Sequence, residues 1–226
     1  MIKATNIVRT FTTGNVSQKV LQGIDLDVKP GEFLAVMGRS GAGKSTLLYQ
    51  LSLLDRPNAG KVVLDGVDTS RLDEQERTDF RLRNLGYVFQ DYAIIPELTA
   101  VENVVVPILM QGMDAKSAYQ KAIEALKWVH MEEYFYKLPS QLSGGEQQRV
   151  SVARSIAHEP KILFADEPTA NLDSENALIV LKLLQDLNKK GQTIVMVTHE
   201  LEYGRMADRI IHLDDGKIVS DKKVRP

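Results

Sequence analysis

Continuous apolar runs of strand length are the feature that most restricts the fold of this chain. Three such runs, Phe33–Met37, Ile162–Ala165 and Thr193–Val197, contain no alternation of polar and apolar residues. Runs of this kind are typical of strands that helices cover on both faces of a sheet. The last two runs flank a segment of helical period, Glu175–Lys190. This order of strand, helix and strand predicts an α/β fold with a parallel, two-sided sheet.

The two ends of the chain have a different pattern. Ile2–Val8 and Val20–Val28 alternate partially between apolar and polar residues, which predicts a short β-rich lobe at the N-terminus. Near the C-terminus, Asp208–Leu213 and Lys217–Val219 flank the turn sequence Asp-Asp-Gly and predict a hairpin.

Helical segments occupy most of the middle of the chain. The sequence predicts an apolar helix over Ser45–Leu54 and a charged helix that begins at a capping box, Asp73-x-x-Glu76, and reaches about Asn84. Strand character resumes at Gly86–Phe89. From about residue 92 to residue 158 the pattern indicates an inserted helical lobe, with helices predicted over Val101–Gln111, Ala115–Val129 and Glu146–Ala157.

Composition excludes several classes of protein. The 226 residues are 43% hydrophobic and 26% charged, which excludes wholesale disorder. The net charge of −2 leaves no basic excess for general coating of nucleic acid. With no cysteine, disulfides, thiol catalysis and cysteine-ligated zinc are excluded. The N-terminus lacks the pattern of a signal peptide, and no apolar stretch approaches the ~20 residues of a membrane span.

The first motif with chemical meaning follows the strand Phe33–Met37. Gly38-Arg39-Ser40-Gly41-Ala42-Gly43-Lys44-Ser45 matches the phosphate-binding pattern G-x-x-x-x-G-K-[ST] between a strand and a helix. In such a loop the backbone N–H groups face phosphate oxygens, the lysine reaches the β- and γ-phosphates, and the hydroxyl holds Mg²⁺. The motif therefore predicts nucleotide binding by Lys44 and Ser45.

A second motif ends the apolar strand Ile162–Ala165, where two carboxylates, Asp166 and Glu167, follow directly. The carboxyl ends of parallel strands form the edge at which α/β sheets bind ligands. We expect Asp166 to hold Mg²⁺ through water and Glu167 to orient or deprotonate the water that attacks the γ-phosphate. Together the two motifs predict nucleotide hydrolysis.

A third motif, Leu142-Ser143-Gly144-Gly145-Glu146, precedes a predicted helix and could, taken alone, be an ordinary capped helix start. In combination with the two motifs above, it resembles the signature of ATP-binding-cassette (ABC) ATPases, with Glu146 where glutamine is more usual. The resemblance implies that the signature of one subunit closes over the γ-phosphate held by another. Ser143, Gly144, Gly145 and Glu146 would then contact ATP in trans.

Further positions resemble the family in the same order along the chain. Gln90 resembles the glutamine that touches Mg²⁺ and the attacking water, and His199 resembles the switch histidine at the γ-phosphate. Phe11 takes the place of the aromatic residue that stacks on adenine, although the alternative of a core residue is open from the sequence. The loop that couples the two sites of a dimer corresponds to Asn171, Leu172 and Asp173.

The resemblance thus implies a full set of site residues. Those implied for catalysis are Glu167, His199, Lys44 and Gln90, and those for Mg²⁺ are Ser45, Gln90 and Asp166. Those implied for ATP in the same subunit are Phe11, Gly38, Arg39, Ser40, Gly41, Ala42, Gly43, Lys44, Ser45 and Thr46.

The resemblance covers essentially the whole chain and implies a fold and its divisions. We expect one nucleotide-binding domain, residues 1–226, of the P-loop NTPase class with a mostly parallel, RecA-like core sheet. Its divisions would be an antiparallel β lobe at about 1–31 and 60–68, the core at 32–90 and 158–226, and the helical lobe at 91–157.

Within the family, the segment from Ile94 to Val104, followed by Pro107 and Gly112, resembles the branch of the lipoprotein-release, macrolide-export and cell-division ATPases. This implies a homodimer that works on the inner face of the cell membrane, with a membrane subunit of four transmembrane helices and a large extracytoplasmic domain. Nucleic acid is not an expected partner. The apolar run after Gln90 is the predicted lever to the membrane subunit, unless it packs inside the helical lobe. Its candidate docking residues are Tyr92, Ile94, Ile95 and Leu98.

Three alternatives share parts of this pattern. An importer ATPase would have the same catalytic residues and a different permease. A soluble ABC protein acting on DNA or ribosomes usually has a long coiled-coil insertion or two cassettes in one chain, for which 226 residues leave no room. A nucleotide kinase shares the phosphate loop, but it does not explain the segment Leu142–Glu146 or His199.

Overall fold

The computed structural model describes residues 1–14 and 16–224. Residue 15 of the predicted β lobe and residues 225–226 of the predicted core lie outside the described residues. The strands are β1 Ile2–Thr13, β2 Val16–Val28, β3 Phe33–Gly38, β4 Ala59–Leu64, β5 Val67–Asp68, β6 Leu85–Val88, β7 Ile162–Asp166, β8 Thr193–Val197, β9 Arg209–Asp214 and β10 Lys217–Lys223. The helices are α1 Lys44–Leu51, α2 Glu74–Asn84, α3 Ala100–Met110, α4 Ala115–Trp128, α5 Gly144–Ile156, α6 Ser174–Lys189 and α7 Leu201–Gly204.

The described chain divides into two compact units. Unit 1 comprises residues 1–79 and 188–226, and unit 2 comprises residues 80–187. The lobe boundaries expected from the sequence remain a proposal.

Unit 1 contains an antiparallel sheet in the order β2-β1-β4-β5. The sequence predicted its two longest strands too short, because the apolar alternation stops near Val8 and starts again near Val20. Beyond those points exposed polar side chains pair across the strands instead, as in the 3.0 Å hydrogen bond between the hydroxyl groups of Thr12 and Ser17. Cross-strand polar pairs stabilise a hairpin that has no apolar face.

The second set of strands in unit 1 runs in the order β10-β9-β3-β8. β3 pairs in parallel with both β8 and β9, whereas β10 is antiparallel to β9, as the predicted hairpin requires. Residues 33–37 of β3 and all five residues of β8 are buried. The predicted α/β class with a mostly parallel sheet is therefore confirmed.

Unit 2 combines the parallel pair β6 and β7 with four helices, α3 to α6. Two of these helices begin with the same device, a capping box. Thr99 and Glu102 form the box of α3, and Ser143 and Glu146 form the box of α5. Each box satisfies N–H groups that have no partner inside the helix, and so defines its first residue.

The capping box predicted for α2 is also present. The backbone N–H of Asp73 donates to the Glu76 carboxylate at 2.9 Å, and the backbone N–H of Glu76 donates to the Asp73 carboxylate at 2.8 Å. The helix ends at Asn84, as predicted.

Most helix boundaries lie within one residue of prediction, and two differ by more, for local reasons. α1 ends at Leu51 rather than Leu54, because Leu53 adopts a left-handed φ of 62° that a continuing helix cannot contain. α5 begins at Gly144 rather than Glu146, because the cap is Ser143 and the box includes both glycines in the first turn. Within residues 1–14 and 16–224, no helix has the length and apolar character needed to cross a membrane.

Candidate functional site

The phosphate-binding motif forms the connection between β3 and α1 in unit 1. A methyl group on Gly38, whose φ is 151°, would lie 2.2 Å from the backbone carbonyl oxygen of Leu213, so this position requires glycine. Lys44 is 9% exposed, and its Nζ donates to the backbone carbonyl oxygen of Arg39 at 3.1 Å. The lysine therefore spans its own loop with its ammonium group against a backbone oxygen.

The start of α1 suits an anion. Its N-cap, Gly43, has no side chain to accept from the first N–H groups, and the first turn contains no acidic residue. The β9–β10 turn packs against the loop and holds it, since the backbone N–H of Gly216 donates to the Ala42 carbonyl at 3.1 Å. A helix start with no side-chain cap and no competing carboxylate is the arrangement that binds phosphate.

His199 follows β8, which lies beside β3 in the same sheet. Both the phosphate loop and His199 therefore leave the sheet at the carboxyl ends of adjacent parallel strands. The buried Thr198 fixes this connection, since its backbone N–H donates to the Val36 carbonyl and its Oγ1 accepts from the backbone N–H of Glu200. The His199 ring is exposed, with Nε2 3.3 Å from a carboxylate oxygen of Glu200.

The predicted carboxylates lie at the end of β7 in unit 2. Asp166 is 6% exposed and accepts a hydrogen bond from the Tyr87 hydroxyl at 3.4 Å. Glu167 follows with a left-handed φ of 45°, and it is half-buried. Because β6 and β7 are parallel neighbours, Gln90 emerges at the same edge as the two carboxylates. Unit 2 thus brings together three of the predicted site residues.

The segment Ser143–Glu146 starts α5, so the capped helix start considered from the sequence is present. Ser143 is exposed, and Gly145 is buried against α6, where a methyl group would lie 2.2 Å from the side-chain oxygen of Asn176. Gly144 faces Tyr92, whose hydroxyl oxygen would be 2.8 Å from a methyl group there. Both glycines therefore allow close contact with neighbouring segments.

The predicted coupling loop contacts the segment after Gln90. The side-chain amide of Asn171 donates to the Gln90 carbonyl, and its backbone carbonyl accepts from the Tyr92 hydroxyl at 3.5 Å. Burial raises the pKa of the Tyr92 phenol, and the negative charge of Asp91 adds to the shift. Asp173 caps the start of α6, and hydrogen bonds from Asn176 lower the pKa of its carboxyl. Leu172, between them, is half-buried.

Phe11 lies near the end of β1 and is 43% exposed, so the alternative of a core residue is wrong. The guanidinium carbon of Arg9 lies 4.4 Å from the centre of its ring. Arg9 is held in turn by Asp55, with 2.7 Å between Nε and a carboxylate oxygen. The ring predicted to stack on adenine is therefore oriented by a cation on one face.

The candidate docking loop is shaped by one buried amide. Asn103 is 1% exposed, its Oδ1 accepts from the backbone N–H of Ile95, and its Nδ2 donates to the carbonyls of Ile95 and Leu98. The Ile95 side chain is 41% exposed, while Tyr92, Ile94 and Leu98 are half-buried. The loop thus presents Ile95 outward on a rigid backbone.

Two positioning residues were missed by the sequence analysis, and both belong to α5. Gln148 is fully buried, and its Nε2 donates to the carbonyls of Pro168 at 2.7 Å and Phe89 at 3.4 Å. Arg154 donates to the carbonyls of Tyr92 and Ala93, two consecutive residues with left-handed φ. α5 therefore fixes the backbone on both sides of Gln90. No local pattern could have indicated this, because the contacts join residues far apart in sequence.

A cavity of about 220 Å³ adjoins the docking loop within unit 2. Its lining includes the rings of Tyr87 and Phe89, whose centres are 4.3 Å apart, together with Pro107, Ala93 and Arg154. No group of three or more His, Cys, Asp or Glu side chains that could hold a metal occurs in the part of the chain that the structure describes.

Comparison with known proteins gives one family. The family model described as "ABC transporter" matches residues 21–170. The lipoprotein-releasing system ATP-binding protein LolD of Aquifex aeolicus is 45% identical over 221 residues, which cover 98% of this chain and 97% of that protein. The macrolide export ATP-binding/permease protein MacB of Campylobacter fetus is 43% identical over 223 residues, and the match covers 99% of this chain but 35% of MacB. The chain therefore spans about a third of the length of such relatives.

Solved structures agree with the sequence comparison. A dimeric structure of the ATP-binding cassette MJ0796 of Methanocaldococcus jannaschii, in a post-hydrolysis state bound to ADP and phosphate, has a TM-score of 0.94 and 40% identity. The match covers 100% of both chains. This chain belongs to the ABC transporter family, as one of its ATP-binding, ATP-hydrolysing subunits.

Proposed function

We propose that two copies of this chain bind two Mg-ATP head to tail and drive a separate membrane subunit of the mechanotransmission or export type. Each site combines residues of one copy with the signature of the other. The observation that carries the proposal is that Ser143 is exposed at the capped start of α5. An exposed signature is open to contact with ATP held by another copy. The contributing residues of one copy are Lys44, Ser45, Gln90, Asp166, Glu167 and His199, and those of the other are Ser143 and Gly145.

The phosphate loop supplies the binding step. The N–H groups at the start of α1 donate to oxygens of the β- and γ-phosphates, and Lys44 moves its ammonium group from the Arg39 carbonyl to the phosphate oxygens. Phe11 stacks on the adenine from a position already oriented by Arg9. Binding thus replaces a hydrogen bond to a neutral oxygen with one to a charged oxygen, which is the stronger kind.

The donor set also fits Mg²⁺, which prefers few protein ligands, all of them oxygen. Ser45, Gln90 and Asp166 would hold it, the last through water, and it would neutralise charge on the phosphate oxygens. Glu167 orients and deprotonates the attacking water, and His199 contacts the γ-phosphate. In the proposed cycle ATP joins the two subunits, and its hydrolysis loosens them.

Docking to the membrane subunit is assigned to the loop that contains Tyr92, Ile94, Ile95 and Leu98. The outward Ile95 side chain and the adjacent, mostly apolar cavity support this assignment, because both suit an apolar partner segment. The names of LolD and MacB support an export-type partner, and the proposed partner has four transmembrane helices and a large extracytoplasmic domain. The chain would then lie on the inner face of the cell membrane.

Affinity purification of a tagged Glu167→Gln variant tests the proposal. When the variant is purified from membranes of the source organism in the presence of Mg-ATP, we expect an ATP-bound dimer. A four-helix membrane subunit should co-purify and be identified by mass spectrometry. Lys44→Ala, with weakened phosphate binding, is the matched control and should yield far less dimer. A persistent monomer at saturating Mg-ATP would contradict the dimer. A many-helix permease would instead indicate an importer, and ribosomal or DNA partners without a membrane protein would overturn the transport function.

A further inference from the structure

The signature residues Ser143 and Glu146 bind each other through three hydrogen bonds. The Ser143 backbone N–H and the Ser143 hydroxyl both reach one oxygen of the Glu146 carboxylate, at 2.7 and 2.9 Å. The backbone N–H of Glu146 returns a bond to Ser143 Oγ at 3.3 Å. The Ser143 hydroxyl is therefore part of a closed pair.

The charge of Glu146 fixes the direction of the hydroxyl proton. Burial alone would raise the pKa of the Glu146 carboxyl, but hydrogen bonds from Ser143 and Tyr134 and the charge of Arg149 bring it below its usual value. The carboxylate is thus ionised at neutral pH and can only accept hydrogen bonds. It follows that Ser143 donates its proton to Glu146, while one of its lone pairs receives the Glu146 N–H.

A phosphate oxygen also only accepts hydrogen bonds. In the closed pair, Ser143 Oγ has no proton to offer to a phosphate that approaches from outside. The hydroxyl can donate to that phosphate only after it has rotated off the carboxylate. Such a rotation exchanges one charge-assisted hydrogen bond for another, so the strength of the bond that is broken affects how tightly the signature engages.

We propose that Glu146 is a positioning residue that holds the Ser143 hydroxyl proton away from the γ-phosphate of the partner subunit's ATP and thereby weakens the ATP-bound dimer. The inference rests on the proposed function, since it assumes that Ser143 meets ATP in trans. Its physical content is a competition between two acceptors for one proton. With a neutral acceptor at position 146, the hydrogen bond from the Ser143 hydroxyl is weaker, and the hydroxyl can turn toward the phosphate more easily.

The chain contains its own control for this device. In the capping box of α3, the Thr99 backbone N–H and hydroxyl donate to one carboxylate oxygen of Glu102 at 2.8 and 2.6 Å, and the Glu102 N–H returns a bond at 3.4 Å. This box has the same geometry and lies outside the proposed ATP contacts. Glu102→Gln therefore reproduces the structural effect of Glu146→Gln without changing the signature.

A double-mutant cycle measures the proposed competition. All proteins carry Glu167→Gln to prevent hydrolysis, and sedimentation at saturating Mg-ATP gives the dimer dissociation constant of the parent, Glu146→Gln, Ser143→Ala and the double variant. We expect Glu146→Gln to tighten the dimer about a hundredfold, because the difference between a hydrogen bond to a charged acceptor and one to a neutral acceptor is worth about tenfold and the dimer contains two signatures. In the Ser143→Ala background the same change should shift the constant by less than about twofold, because no hydroxyl proton remains to be released.

The other outcomes separate the possible explanations. If the full gain persists without the Ser143 hydroxyl, Glu146 acts only by repelling phosphate charge, and the inference is overturned. A dimer equal to or weaker than the parent in Glu146→Gln overturns it as well. Glu102→Gln should leave the dimer unchanged, and both glutamine variants should lower the melting temperature of the nucleotide-free chain similarly. Absence of an ATP-bound dimer from the parent and from all variants would overturn the proposed function. A parent dimer whose dissociation constant is unchanged by Glu146→Gln would overturn this inference alone.

Discussion

The side-chain amide of Asn171 donates a hydrogen bond to the backbone carbonyl of Gln90, with 3.2 Å between Nδ2 and the oxygen. The same amide lies 3.3 Å from a carboxylate oxygen of Asp91. The loop proposed to couple the two ATP sites is therefore attached, within one subunit, to the segment proposed to sense the γ-phosphate. A displacement of one loop can therefore be transmitted to the other through the Asn171 side chain.

Asn171→Asp should reduce ATP hydrolysis more than Asn171→Ala. Alanine removes a donor, and we expect the rate to fall roughly fivefold, equivalent to about 1 kcal/mol of lost positioning. Aspartate also introduces a negative charge beside Asp91. Steady-state ATPase assays check the order of the two variants. Asn188→Ala, which removes two comparable amide hydrogen bonds in unit 1, should lower stability with little effect on the rate; equal rates for the aspartate and alanine variants would contradict the prediction.

The two signature glycines should differ in how they tolerate a methyl group. At Gly144 the Tyr92 hydroxyl oxygen, at 2.8 Å, is the one neighbour closer to the group than ordinary van der Waals contact, so Tyr92→Phe should restore most of the stability that Gly144→Ala loses. At Gly145 it lies 2.2 Å from Asn176 Oδ1 and 2.9 Å from Asn176 Cβ, and Asn176→Ala leaves the second contact in place. We expect Gly145→Ala to cost about 1–3 kcal/mol in urea unfolding, without restoration. Full recovery in the Gly145→Ala/Asn176→Ala variant would count against this account.

Ile95→Asp should separate partner binding from hydrolysis. The side chain is exposed while the loop backbone is held by Asn103, so a carboxylate there adds charge to the surface without opening the core. We expect the membrane subunit no longer to co-purify, because a charge without a partner is costly to bury in an apolar contact. Basal ATPase should stay within about twofold of the parent. Val219→Asp, at a 62% exposed position in β10, is the matched control and should retain the subunit. Insoluble Ile95→Asp protein would instead indicate a core role for this residue.

His158 should make the folded chain sensitive to mild acid. Burial lowers the pKa of its imidazole, and its Nε2 lies 3.1 Å from the Leu85 carbonyl oxygen, which suits a neutral ring that donates from Nε2. The unfolded chain takes up this proton near pH 6.5, but the folded chain does so only at lower pH. The free energy of unfolding should therefore fall as the pH drops below about 6.5, by at most about 1.4 kcal/mol per pH unit for this one proton.

Urea unfolding at several pH values between 7.5 and 5.5 checks the contribution of His158. His158→Gln keeps a donor for the Leu85 carbonyl but does not titrate, so its stability should depend less steeply on pH in this range. Parallel curves for the two proteins would assign the acid sensitivity to other groups.

Much of the fold follows from local pattern. β8 occupies the predicted residues without change, because its run of four consecutive apolar residues, Ile194–Val197, is bordered on both sides by polar residues that make its ends visible. The capping box of α2 was also visible, because its two partners, Asp73 and Glu76, lie three residues apart. The end of α1 was not visible: Arg77, from a later helix, donates to the carbonyls of Leu53 and Asp55 and stabilises the turn that stops the helix.

In the candidate site, too, the features set by local sequence were predictable and those set by long-range packing were not. The phosphate loop, the two carboxylates and the signature lie directly after or before regular elements, and their residue types define their chemistry. The hydrogen bonds from Gln148 and Arg154 were invisible, because only the folded unit 2 brings α5 against the loops around Gln90. Exposure, which decides whether Phe11 and Ile95 can meet a ligand or partner, likewise depends on long-range packing.

The discontinuity of unit 1 affects how the chain is made. β3 lies near the N-terminal end of the sequence, yet both strands that pair with it, β8 and β9, come from residues 188–226. At the usual pace of a ribosome, an apolar strand with two open edges waits roughly 8 to 30 s for its neighbours, and open edges invite aggregation. Unit 2 is continuous in sequence and can fold during that interval. The phosphate-binding loop, although translated early, is among the last parts of the nascent chain to acquire its final shape.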